Sequence, residues 1–118
     1  MLIRSEQYAI FEQHAWDDFR RRAVEHLRQD MANYVVGLSD AELRGRVDSA
    51  VRSAGKYDLA DEQDVICFLD AGLLLKDEEF AENPKYLFIH AVLQDKDLAP
   101  EERAEQTLTL AFQQVLIG

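Results

Sequence analysis

The chain has 118 residues, 47% of them apolar, and a net charge of -10. That length fits a single domain with its own core, and that apolar share excludes intrinsic disorder. A lone cysteine, Cys67, excludes a disulfide framework. No apolar run reaches the roughly 18 residues of a membrane span, and Met1-Leu2-Ile3 runs straight into Arg4, Ser5 and Glu6, unlike a signal peptide, so a cytoplasmic protein is expected.

Ser5 is placed to cap a first helix. Tyr8, Phe11, Ala15, Phe19, Ala23, Leu27 and Met31 recur at spacings of three and four, with Trp16 and Val24 on a flank. That spacing predicts a long amphipathic helix over 6–32. Its polar side carries Arg20-Arg21-Arg22 and Arg28, with Asp17, Asp18, Glu25 and Asp30 within pairing reach. The arginine run reads either as a phosphate site or as a solvated face laced with carboxylates, and the density of acids favours the second. Gly37 suits a left-handed turn. Ser39-Asp40-Ala41-Glu42 then fits a capping box. Leu43, Val47, Ala50, Val51 and Ala54 form the buried face of a second helix over 40–54, closed by Gly55.

The next helix, 61–75, is the centre of the expected fold. From Val65 to Leu75 only Asp70 is charged, and apolar residues occupy every side of the wheel. Such a helix is buried nearly all round. Asp61 is the N-cap, with Glu62 and Asp64 beside the positive end of the helix dipole. Gly72 predicts either a close approach by a neighbouring helix or a loosened last turn. Asp70, if buried, needs a partner, and an arginine of the first or second helix is the candidate.

Beyond Leu75 the chain turns polar through Lys76-Asp77-Glu78-Glu79, and Phe80 is expected to pack back on the core. Asn83-Pro84 starts a short fourth helix holding Tyr86, Leu87, Phe88, Ala91, Val92 and Leu93. Ala99-Pro100-Glu101-Glu102 starts a fifth, whose buried side is read as Ala104, Leu108, Ala111, Phe112 and Val115. The fold class predicted is all-α: a compact bundle of about five helices around helix 61–75, in one domain over 1–118.

Little in the chain points to chemistry. His14, His26 and His90 form no metal-binding spacing, and Asp95-Lys96-Asp97 fails as a calcium loop, with Pro100 where glycine is needed and Gln106 where glutamate is needed. Cys67 stands among apolar residues with Asp64 and Asp70 nearby, which suits a core position and not a nucleophile. No catalytic residue, metal site or cofactor is therefore expected, and the chain is read as no enzyme.

Charge gives the better lead. Residues 1–52 carry 8 Lys/Arg against 9 Asp/Glu, while residues 53–118 carry 5 against 14, a net of -1 and -9. Such an acidic half repels phosphate backbones, so a nucleic-acid partner is not expected. It draws in a basic protein surface and speeds encounter with it. Acidity that serves only solubility is the competing reading. Two clusters carry the charge, one around Phe80 and one formed by Asp95, Asp97, Glu101 and Glu102. The first joins an aromatic anchor to steering charge, which makes Asp77, Glu78, Glu79, Phe80 and Glu82 the candidate partner-binding residues.

The run Ala54-Gly55-Lys56-Tyr57-Asp58-Leu59, then Glu62-Gln63-Asp64-Val65, Phe68-Leu69-Asp70, Phe80, Asn83-Pro84, Leu93-Gln94-Asp95 and Pro100-Glu101-Glu102-Arg103, resembles small, mostly uncharacterised helical proteins encoded beside effector, spike and PAAR genes in the type VI secretion loci of Gram-negative bacteria. The resemblance is clearest from about residue 40 onward. It implies a binding role, as an adaptor or co-chaperone for an effector or its chaperone, or as an immunity protein that masks a toxin's basic surface.

Overall fold

A computed structural model describes residues 13–117 of the chain. Five α-helices occupy them: α1 (Gln13–Asp30), α2 (Asp40–Gly55), α3 (Glu62–Leu75), α4 (Leu87–Gln94) and α5 (Pro100–Ile117). Short 3-10 turns at Ala32–Tyr34, Phe80–Glu82 and Pro84–Tyr86 join them, and no strand occurs among the described residues. The fold is all-α, as the periodicity predicts. The expected start of the first helix, with Ser5, Tyr8 and Phe11, lies outside the described residues.

Local chemistry sets the helix boundaries. Glu42 N–H donates to Ser39 Oγ at 3.1 Å and Ser39 N–H donates to Glu42 Oε1 at 3.2 Å, so the capping box that begins α2 is complete. Asp61 Oδ1 accepts from Gln63 N–H at 3.0 Å and caps α3. Pro100 heads α5, where Glu102 reaches back to accept from Ala99 N–H at 3.1 Å. Pro84 heads a 3-10 turn that leads into α4, and not α4 itself. α1 ends at Asp30, and the chain reaches Ser39 through Gly37 at φ +84°.

α3 ends in a Schellman turn: Asp77 N–H donates to the Gly72 carbonyl at 3.0 Å and Lys76 N–H to Leu73 at 3.1 Å. Lys76 holds the left-handed position at φ 56°, where glycine is usual. Gly72 does admit a close approach, but from the returning loop and not from a helix. A Cβ there would meet the Asp77 carbonyl at 3.4 Å and the Phe80 ring at 3.6 Å.

One apolar cluster joins the elements. α3 lies at its centre, packed most extensively on α5 and also on α2, while α1 packs on α2 and α4 on α5. Ten of the fourteen α3 residues are buried, from Asp64 and Val65 through Leu74. Leu43, Val47, Ala50, Val51 and Ala54 bury the inner face of α2 as their spacing predicts. α5 is turned differently from the expectation. Arg103, Ala104, Thr107 and Ala111 are its buried residues, and Leu108 is half-buried. Phe112 and Val115, expected in the core, are 54% and 41% exposed.

Arg103 explains that rotation. Its side chain is buried, and it donates to three carbonyls: Tyr57 at 2.7 Å, Leu93 at 3.0 Å and Leu98 at 3.3 Å. The Leu93 carbonyl belongs to the last turn of α4, where the helix dipole favours a cation. A planar guanidinium with five donors satisfies several carbonyls at once. It ties the turn after α2, the end of α4 and the start of α5 into one knot, and that knot fixes which face of α5 points inward.

Candidate functional site

The loop that follows α3 holds the residues expected to meet a partner. Phe80 does not stand on the surface: it is 1% exposed and packs on Phe68 with ring centroids 4.8 Å apart. Phe80 thus packs back on the core, as its place in the chain predicts, and its reading as a surface anchor is corrected, since an aromatic ring gains more from a dry pocket than the flanking acids could hold in water. Asp77 is half-spent as a loop staple, accepting from Glu79 N–H at 2.9 Å and from Asn83 Nδ2 at 2.7 Å. Glu78 pairs with Arg46 at 3.4 Å and Glu82 with Lys56 at 2.8 Å. Lys56 holds the Glu82 carboxyl below its ordinary range. Glu78, Glu79 and Glu82 are exposed, so the loop keeps an acidic surface, but two of its charges already face cations of α2 and the turn after it.

The arginine run of α1 is likewise occupied. Arg20 meets Asp48 at 3.0 Å, Arg21 meets Asp18 at 2.7 Å and Glu25 at 2.9 Å, and Arg22 meets Asp18 and Glu62, each at 2.8 Å. Arg28 pairs with Asp40. The run is a carboxylate-laced face, as its neighbours in sequence suggest.

Asp70 is 8% exposed, and its partner is a histidine, not the arginine expected. His26 Nε2 lies 2.9 Å from both Asp70 oxygens, and its Nδ1 lies 3.0 Å from Asp30. Both ring nitrogens therefore face carboxylates, and a doubly protonated ring can donate to both. Burial raises the Asp70 carboxyl, and the hydrogen bond from His26 pulls it back down. This contact links α1 to α3 across 44 positions of sequence. His90 is also half-buried, with Nδ1 2.7 Å from the Ala81 carbonyl, while His14 is exposed.

The largest concentration of unspent acid lies elsewhere. An open groove of about 800 Å³ runs between the first turns of α3 and α5. Asp58, Asp61, Asp64, Glu101 and Glu105 line it, with Cys67 and Pro100 among the apolar walls. Asp58 pairs with Lys96 at 3.1 Å and Asp61 caps α3. Asp64, Glu101 and Glu105 pair with no cation among the described residues. Asp64 is only 5% exposed, and its carboxyl is raised first by burial and then by the charges of Asp61, Glu101 and Glu105. Cys67 is buried as expected, and burial pushes its thiol up.

In the sequence Glu101 falls in the second acidic cluster and Asp64 in the first turn of the central helix, beside the positive end of its dipole. Nothing there joins them, because the groove exists only once α5 packs against α3. The one local hint was an aspartate at the third helical position, one methylene shorter than the glutamate that closes a capping box there.

Among the described residues, no group of three or more His, Cys, Asp or Glu is placed to hold a metal ion, and no helix is long and apolar enough to cross a membrane. Set against protein-family models, curated proteins and solved structures, the chain matches none.

Proposed function

We propose that this chain is a non-enzymatic, cytoplasmic protein-binding factor: an adaptor or co-chaperone for a type VI secretion effector or its chaperone, recognising a basic surface on it. The observation that supports binding is the uncompensated acidity of the groove between α3 and α5. Glu62, Glu78, Glu82 and Asp58 each meet arginine or lysine within the fold, whereas Asp64, Glu101 and Glu105 meet none among the described residues and share one groove. A concave, one-signed surface focuses field lines and speeds encounter with an opposite charge.

The secretion setting comes from the sequence resemblance. Several residues that carry it converge here: Tyr57, Leu93 and Arg103 join in the carbonyl knot, while Asp64 and Glu101 face the groove. The same acidic surface also suits an immunity protein that masks a toxin. Deleting the gene in the producing strain separates the two. Loss of effector from the medium with normal growth is the expected result. Death of the producer, rescued by deleting a neighbouring toxin gene, would replace the adaptor reading with the immunity one. Unchanged export and growth would refute both.

A further inference from the structure

We propose that the groove between α3 and α5 is a receptor for one guanidinium group, the head of an arginine side chain, with Asp64 at its floor and Glu101 and Glu105 at its rim. The proposal rests on the reading above only in taking that arginine to belong to a protein.

The main support is the state of Asp64. Asp64 is only 5% exposed as a residue, and an acid so placed is ordinarily hydrogen-bonded or ion-paired, because drawing a carboxylate out of water is costly. Asp64 accepts no hydrogen bond and forms no ion pair, yet it lines an open groove. Two other helices show what an acid at its position ordinarily does. Glu42 in α2 and Glu102 in α5 each sit three residues after the cap and turn back onto the cap N–H. Asp64 stands at the same place in α3 and leaves the Asp61 N–H alone. Arg103, the nearest cationic influence on it, spends its donors on carbonyls instead.

The surroundings select the ligand. Asp61, Glu101 and Glu105 add like charge around Asp64, which a single incoming cation relieves at once. No three of these carboxylates converge as metal ligands do. The groove's volume of about 800 Å³ admits a long side chain, and Ala60, Cys67, Ala99 and Pro100 offer apolar wall to its methylene stem. A guanidinium is planar, weakly hydrated and forked, so it can meet Asp64 side-on with two hydrogen bonds and reach the rim acids with the rest. A compact, strongly hydrated ammonium is a point charge without that planar fork, and it gains less from a side-on carboxylate.

The test is a titration of the full chain, followed by amide and side-chain NMR shifts, with three probes: N-acetyl-arginine amide, N-acetyl-lysine amide and the neutral isostere N-acetyl-citrulline amide. The expected result is saturable shifts at Asp64, Cys67, Glu101 and Glu105 with arginine, at least fivefold weaker binding with lysine, and none with citrulline. Asp64→Asn should lose at least tenfold in arginine affinity while melting no lower than the native chain. Glu101→Gln with Glu105→Gln, both exposed positions that leave the core untouched, should lose at least threefold. Equal response to citrulline or to lysine would overturn the assignment. So would arginine binding unaffected by Asp64→Asn, or a lower melting temperature for that variant, which would make Asp64 a structural counter-charge to Arg103. Negative shifts would leave the secretion role standing without this groove, and a negative gene deletion would leave the shifts standing without that role.

Discussion

Replacing Phe80 with alanine separates the two roles an aromatic in an acidic loop can play. If Phe80 were an interface anchor, its loss would weaken binding and leave the fold alone. The structure puts it in the core instead, 1% exposed, tilted against Phe68 with centroids 4.8 Å apart and covering Gly72. Truncating a buried Phe costs about 3–5 kcal/mol, and a ring pair of this kind adds about 0.5–1.5 kcal/mol beyond area. A loss near 4 kcal/mol is therefore expected. A chain of 118 residues has roughly 6–18 kcal/mol to lose, so the variant stays folded in all but the least stable case. Urea unfolding followed by helix signal reads the effect. With a slope of about 1.5 kcal/mol per molar, the midpoint should fall by roughly 2–3 M. Phe68→Ala should cost a similar amount, and the double variant less than the sum, because the two rings share one contact. A loss below about 1 kcal/mol for Phe80→Ala would mean that the ring is not packed where the structure puts it, and the loop after α3 would return to the surface as an anchor.

Three further outcomes are expected. Lys76→Gly should stabilise by about 1 kcal/mol, because Lys76 holds a left-handed conformation that glycine adopts without strain; a thermal melt checks it. Thr107→Val should also stabilise by about 1 kcal/mol, since the Thr107 hydroxyl is buried without a hydrogen-bond partner, and calorimetry would show it. His26→Ala should cost about 2–4 kcal/mol by stranding the buried Asp70 carboxylate, while His26→Ala with Asp70→Asn should recover part of that loss in a double-mutant cycle.

Stability as a function of pH gives an independent check on Asp64. Its folded pKa lies above the ordinary 3.8, so its ionised form opposes folding and its protonated form does not. Asp64→Asn should therefore be more stable than the native chain at neutral pH. The gap should close as pH falls through the raised folded value and vanish below 3.8, where the native carboxyl is neutral in both states. A gap of the opposite sign at pH 7 would mean that the carboxylate helps to hold the fold together.

What the sequence revealed were the features written in short segments. The Ser39–Glu42 box, the Asp61 cap, the Pro100 start of α5 and the all-round apolar run of α3 each depend on residues within a few positions of one another. The misread features depend on distant partners. Phe112 and Val115 make a plausible stripe on α5, and no local signal shows that Arg103 and Thr107 take the inner face. That choice is made by carbonyls of Tyr57, 46 positions away, and Leu93. The partner of Asp70 lies 44 positions back, and a histidine on a helix edge looks no different from any other until the helices meet. The candidate site follows the same rule. Its acids were visible as net charge, but which of them face internal cations and which face the groove is decided by packing between α2, α3 and α5.

The most direct test of the binding account is the association rate with the proposed partner, an effector or effector chaperone with a basic surface, measured at low and high salt. Steered encounter with a basic partner should slow on the order of tenfold as screening shortens the reach of the acidic surface. Asp64→Asn should mainly speed dissociation, because it removes a buried contact. Glu78→Lys with Glu79→Lys should slow association, by less than salt does, since Glu78 already faces Arg46. An on-rate indifferent to salt and to the Glu78 and Glu79 reversals, with an off-rate unchanged by Asp64→Asn, would contradict the account and leave the acidity as a solubility feature.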